Sequence, residues 1–204
     1  MRFSKSRTID GLWVGTSEGK PHPALDLVLE ALALIKRHNA LHYSRVISRL
    51  DRIWVNLIPS AQAHYDQSLN GCVLDERYVL QETMTVAKIA STIVHEATHA
   101  RIEGRGIYYY EKSRYRIEAV CLRRELNFLA GLPDTEHARD EIVRTIEWCA
   151  SDREYFSDPN FQQREDHGHI ETLRHLNVPN WFVRFALWVI WRRRLRRFAA
   201  QAAK

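Results

Sequence analysis

The sequence predicts an α+β fold, a small sheet packed with several helices. Apolar residues recur at helical spacing over 24–39, 86–103 and 111–132. Runs rich in β-branched and aromatic residues, bounded by proline or turn signals, occupy 52–58 and 72–81. A hydrophobic content of 45% with 27% charged residues suits a packed chain and excludes a disordered one. At 204 residues there is room for one sizeable domain, or one domain with an extension.

Each element follows from its local chemistry. Residues 1–23 read as irregular, punctuated by Gly11, Gly15, Gly19, Pro21 and Pro23. "ALDLVLEALALIKRHN" (24–39) reads as a helix ending in basic residues, which suit a helix C-terminus. A second helix is expected at about 42–51. "RIWVNLI" (52–58) reads as a strand stopped by Pro59, and 60–68 as a short helix. After the turn signal Asn70-Gly71, "CVLDERYVLQ" (72–81) has two β-prone runs that make a hairpin or one irregular edge strand. A helix over 86–103 can be capped by Thr83 or Thr85 and ended by Gly104. "GRGIYYY" is a loop or short strand. Helices are expected over 111–132, closed by Gly131 and Pro133, and from Asp134 or Thr135 to about Phe156. "SDPNFQQREDHGHI" reads as a loop and the chain from Pro179 as a helix. The division is therefore 1–156 as the main domain and 157–204 as a loop with an apolar, arginine-rich helix.

Charge is unevenly placed. Eight of the 30 Lys and Arg lie in 174–204, which has no acid, leaving 22 bases against 25 acids in residues 1–173, a net of −3. A body that tracks nucleic acid would be basic, so nucleic acid is not an expected partner of 1–173. The three cysteines, Cys72, Cys121 and Cys149, form no CxxC pair and suit reduced thiols in a cytoplasm. "MRFSKSRTIDGLWVG" has no apolar core behind its basic residues, and no run of 18 apolar residues occurs. A cytoplasmic protein is expected.

"TIVHEATHARIE" (92–103) carries the chemistry. A helix puts His95 and His99, four apart, on one face, where two imidazoles can bind one ion. Glu96 stands about 100° around the helix from His95. It can accept a proton from an attacking water without ligating the ion. That is the mechanical sense of the H-E-x-x-H arrangement of zinc hydrolases. A catalytic zinc ion takes three protein ligands and keeps a fourth position open. A third histidine in the longer H-E-x-x-H-x-x-G-x-x-H pattern is ruled out by Ile102 and Arg105. The next helix offers Glu111, Glu118 and Glu125. Glu118, 19 residues after His99 and flanked by Ile117, Val120, Cys121 and Leu122, is the expected ligand. Glu125 is two turns further on the same face and is the alternative. Without a metal, Glu118 would instead pair with an arginine such as Arg114 or Arg101.

"HEATH" with a downstream helical "EAV" glutamate resembles the gluzincin branch of the zincin metallopeptidases, over 72–132, about a third of the chain. The resemblance implies a zincin-like α+β fold and zinc (Zn2+) held by His95, His99 and Glu118, with Glu96 as general base. It also implies hydrolysis of a peptide or protein substrate. It places an edge strand, here "CVLDERYVLQ", before the motif helix to pair with extended peptide. A tyrosine donor beside the developing oxyanion would be Tyr110 or Tyr108; His167, His169 and His175 are later candidates for that duty. The aspartate that some gluzincins place just after the glutamate is missing, so Asp75, Glu103 or Asp152 would have to orient the first histidine. A non-catalytic zincin-fold binding or regulatory module is the alternative, though such a module has no need of Glu96.

"WFVRFALWVIWRRRLRRF" (181–198) is too short in its apolar part to span a bilayer. It reads as a helix docked on the domain, as a membrane-surface segment whose Trp and Arg suit an interface, or as a helix that binds protein or nucleic acid.

Overall fold

In the computed structural model, which describes residues 6–17, 22–189 and 192, the chain is α+β and rich in helix. A mixed five-stranded sheet has the order β1-β2-β3-β5-β4. It opens with an antiparallel hairpin of β1 (Ser6–Ile9) and β2 (Leu12–Thr16), where the sequence reads as irregular. The overlooked signal is Asp10-Gly11. Its φ values of 49° and 89° are the left-handed pair that a two-residue hairpin turn demands. Lys36 and Tyr43 donate to the Asp10 carboxylate at 2.6 and 2.7 Å, which ties this turn to the helices.

Helices α1 (Pro23–His38) and α2 (Ala40–Arg49) fall where their periodicity predicts. They carry the chain over to β3 (Arg52–Asn56), parallel to β2. The next segment differs from expectation. Residues 60–68 supply strand β4 (Ala63–Asp66), antiparallel to β5 (Gly71–Asp75), and β5 is parallel to β3. "AHYD" has no β-branched residue, so it is pairing with β5 that makes it a strand, not propensity. β5 lies inside the sheet and is buried along its whole length; β4 is the edge. The expected hairpin or edge strand over 72–81 is therefore replaced by an interior strand and the short helix α3 (Glu76–Val79). Asp75 starts that helix by accepting from Arg77 N and Tyr78 N.

Helix α4 (Val86–Glu103) begins at Thr85, whose side chain accepts from Lys88 N at 3.2 Å. Its Ile89, Ala90, Ile93, Val94 and Ala97 are buried in the core with Val28, Leu32 and Ile35 of α1 and with Ile53, Val55 and Leu74 of the sheet. The "GRGIYYY" segment is a loop. Helix α5 (Glu111–Leu129) packs along α4, and α6 (Glu136–Ser151) along α5.

The segment read as a loop after residue 156 is helix α7 (Asp158–His175). Ser157 caps it and Pro159 sits in its first turn, a start signal that its polar composition masks. Arg114 of α5 holds its beginning, donating to Phe156 O at 2.9 Å and pairing with Asp158 at 2.7 Å. Gly168 lies against the loop before β4, where a Cβ would come within 2.1 Å of Ser60 N. Residues 180–189 are helical, as predicted from Pro179 on; Ile190, Trp191 and 193–198 of the Trp/Arg segment lie outside the described residues. Among the described residues no helix is long and apolar enough to cross a membrane.

The Gly168–Ser60 approach is backbone against backbone and has no flexible side chain to yield. Gly168→Ala is expected to lower stability by about 1–3 kcal/mol in urea unfolding, the usual cost of overpacking. Parental stability in that variant would mean that α7 does not rest on the Ser60 loop.

Candidate metal centre

Helices α4 and α5 run antiparallel, so successive turns of one meet successive turns of the other. His95 and His99 project from α4 with their Nε2 atoms 3.0 Å apart. From α5, Glu118 Oε2 lies 3.3 Å from His95 Nε2, and Oε1 lies 3.5 Å from His99 Nε2. A tetrahedral ion with bonds of 2.0–2.2 Å needs donor atoms about 3.3 Å apart. The two imidazoles and the Glu118 carboxylate thus lie at separations comparable to those around one ion, with each Glu118 oxygen facing one imidazole. Cys121, one turn after Glu118, offers Sγ within 4.8 Å of one ring nitrogen of each of His95 and His99.

Two turns after Glu118, Glu125 hydrogen-bonds His95 Nδ1 through Oε1 and accepts from Ser91 Oγ at 3.3 Å. Glu118 and Glu125 are thus not rivals for one place. Glu118 faces the Nε2 side of His95 and Glu125 the Nδ1 side. A proton held on Nδ1 by Glu125 leaves the Nε2 lone pair for a metal. The acids that the sequence offers for this duty lie elsewhere. Asp75 accepts from Ile58 N at 3.0 Å and pairs with Arg77; Asp152 accepts from Tyr155 N at 3.1 Å; Glu103 lies one turn beyond His99. The signal for Glu125 was its shared face with Glu118, but only the antiparallel register decides that the next turn meets His95 and Ser91.

Glu96 leaves α4 toward the sheet edge and is only 5% exposed. Burial pushes its carboxyl up to about 7, aided by the charges of Glu118 and Glu125 and opposed by His95 and by a hydrogen bond from the Tyr65 backbone of β4. Burial lowers His99 to about 4, helped by the charge of His95. Burial opposes charge on His95 as well, but the Glu125 and Glu118 carboxylates outweigh it and hold the imidazole well above its usual range. The same contacts overcome burial at Glu118 and bring it down to about 2.

The tyrosines differ from expectation. Tyr108 and Tyr110 are 46% and 61% exposed, and their rings lie side by side, 5.9 Å apart. Alternation along the extended loop sends Tyr109 to the opposite side. Its ring packs edge-on against His99 at 5.6 Å, and its hydroxyl donates to Glu118 Oε1 at 2.5 Å. Burial and the Glu118 charge raise its pKa, so it remains a phenol donor. His167, His169 and His175 are exposed on α7; His167 pairs with Glu171 at 3.2 Å. Two hollows share Gln62, just before β4. One of about 920 Å³ is bordered by Arg77, Tyr155, Arg164 and His167, and one of about 320 Å³ by Ser91, Thr92, Lys88 and Glu125.

Glu125→Gln should weaken metal binding about 10–100-fold in competition with a chelator, because the His95 ring loses its orienting carboxylate. Unchanged affinity would remove that role from Glu125. Comparison of the chain with protein-family models, with curated proteins and with solved structures gives no match.

Proposed function

We propose that the chain is a zinc-dependent metallopeptidase of zincin type. One observation carries this reading: His95, His99 and the Glu118 carboxylate converge to within 3.5 Å of one another, with the buried Glu96 carboxyl next to His95 on the same helix. His95, His99 and Glu118 would hold the metal, Glu125 would keep the His95 ring oriented, and Tyr109 would hold Glu118 through its hydroxyl. A bound zinc ion supplies Lewis acidity, polarising a carbonyl oxygen and lowering the pKa of the attacking water to about 7. Glu96 takes a proton from that water and passes it to the leaving amine. Its burial beside the proposed ligands keeps Glu96 out of bulk water, where a general base can act on the attacking water alone. The substrate would be an extended peptide. Among the described residues β4 pairs with a strand on one side only, and its Tyr65 backbone reaches Glu96, so a peptide added along that edge would run past the general base.

A second reading rests on Cys121. Four protein donors close a zinc site, and closed sites are structural. If the thiolate joins His95, His99 and Glu118, the chain is a non-catalytic zincin-fold module and the metal holds α4 to α5. Burial raises the Cys121 thiol, so only a metal would ionise it there.

Glu96→Gln is expected to bind zinc at the parental stoichiometry and to lose at least about 100-fold of its activity on a fluorogenic peptide library. Full activity in that variant would exclude Glu96 as the base. Cobalt substitution separates the two readings. A thiolate-to-cobalt absorption band that disappears in Cys121→Ser, with no peptide cleaved by the parent, would favour the closed site. A cobalt form without that band and with hydrolysis intact would favour the peptidase.

A further inference from the structure

We propose that the helix over 180–189, with the arginines that follow it, is a foot that lies on a bilayer surface carrying anionic lipid. At about 100° per residue, Trp181, Phe185, Trp188 and Arg192 fall within an arc of about 60°. Val183 stands on the opposite side and is 4% exposed, whereas Trp181, Phe185 and Trp188 are 70%, 52% and 47% exposed. The helix therefore touches the body of the protein through its Val183 side and turns an aromatic face outward. Phe182, also exposed, widens that face on one flank.

The rings form a continuous strip, with Phe182 and Phe185 centroids 6.3 Å apart and Phe185 and Trp188 stacked at 5.9 Å. The strip ends at Arg192, whose guanidinium lies 5.0 Å from the Trp188 centroid. An apolar aromatic face bordered by arginine matches the layered chemistry of an interface. Rings sit at the acyl boundary and guanidinium groups at the phosphates. The ten described residues of 180–189 rise about 15 Å, half the thickness of the hydrocarbon core, and among the described residues no helix is long and apolar enough to cross a membrane, which suits a helix that lies on the surface.

Charge selects the occupant. The sequence continues through Arg193, Arg194, Arg196 and Arg197, and no acid occurs in 174–204. A segment with eight basic residues and no acid offers no complementary charge to a second copy of itself. An anionic leaflet meets the same cluster with the opposite sign.

The test is co-sedimentation of the full chain with vesicles of phosphatidylcholine alone, or with about 30% phosphatidylglycerol added, at two salt concentrations. The mixed vesicles are expected to bind at least about tenfold more tightly than the neutral ones, and less so at high salt. Trp181→Ser with Trp188→Ser should lose at least about tenfold on the mixed vesicles while binding zinc like the parent, since both side chains are exposed and far along the chain from α4. Arg192→Glu with Arg193→Glu should abolish the preference for anionic vesicles. The proposal is overturned if the parent fails to bind the mixed vesicles, or if the double tryptophan variant binds them equally. It is also overturned if sedimentation velocity shows a dimer lost in that variant, or if a single-stranded oligonucleotide binds where vesicles do not. None of these outcomes depends on whether the metal site hydrolyses peptides.

Discussion

Packing α5 against α4 brings three carboxyls and two imidazoles together, in and beside a helix interface, and the rest of the molecule is organised around that cost. Glu96, Glu118 and Glu125 lie within electrostatic reach of His95; Glu96 is buried and the other two are partly buried. Burying carboxylates without positive charge is costly enough that groups change protonation instead. That tension appears here as shifts in opposite directions, with Glu96 pushed up and Glu118 held down. A divalent cation at the Nε2 side of the histidines would relieve the whole cluster, and His95 would no longer need to carry the charge. Clusters of this kind, with strong perturbations traceable to specific partners, are characteristic of functional sites.

The sheet and the helices on it hold this arrangement in place. Apolar residues of α4 lock into the core with α1 and the sheet, so the histidines leave a helix that has little freedom to roll. The edge strand β4 brings Tyr65 against Glu96 and leaves its other side free of strand pairing among the described residues. Helix α7 then leans on the loop before β4 through Gly168, and on α5 through Arg114. Phe161 of α7 also meets the Tyr109 ring, at 6.5 Å. The segment beyond the motif region is therefore part of the surroundings of the site and not a detached tail.

Much of the helical framework was legible in the residues. Long segments of helical periodicity declare themselves, so α1, α4 and α5 fall within a few residues of their expected limits. Short or polar elements do not. Strand β4 has no strand propensity of its own and exists because β5 pairs with it. The β1–β2 hairpin was signalled by Asp10-Gly11 but hidden among other glycines and prolines. Helix α7 buries little beyond Gly168 and Ile170, so its sequence lacks a clear apolar stripe.

By itself, the sequence determined that two imidazoles share one face of a capped helix, with a carboxylate beside them and further carboxylates on the next helix. Those are consequences of local periodicity, which depends only on spacing along the chain. Tertiary structure alone decided that Glu118 approaches both imidazoles while Glu125 approaches the far side of His95. It also decided that Tyr109 and not its neighbours turns inward, and that Cys121 joins the cluster. These are relations between side chains on different elements, and the antiparallel register of two helices and the path of the loop joining them set such relations.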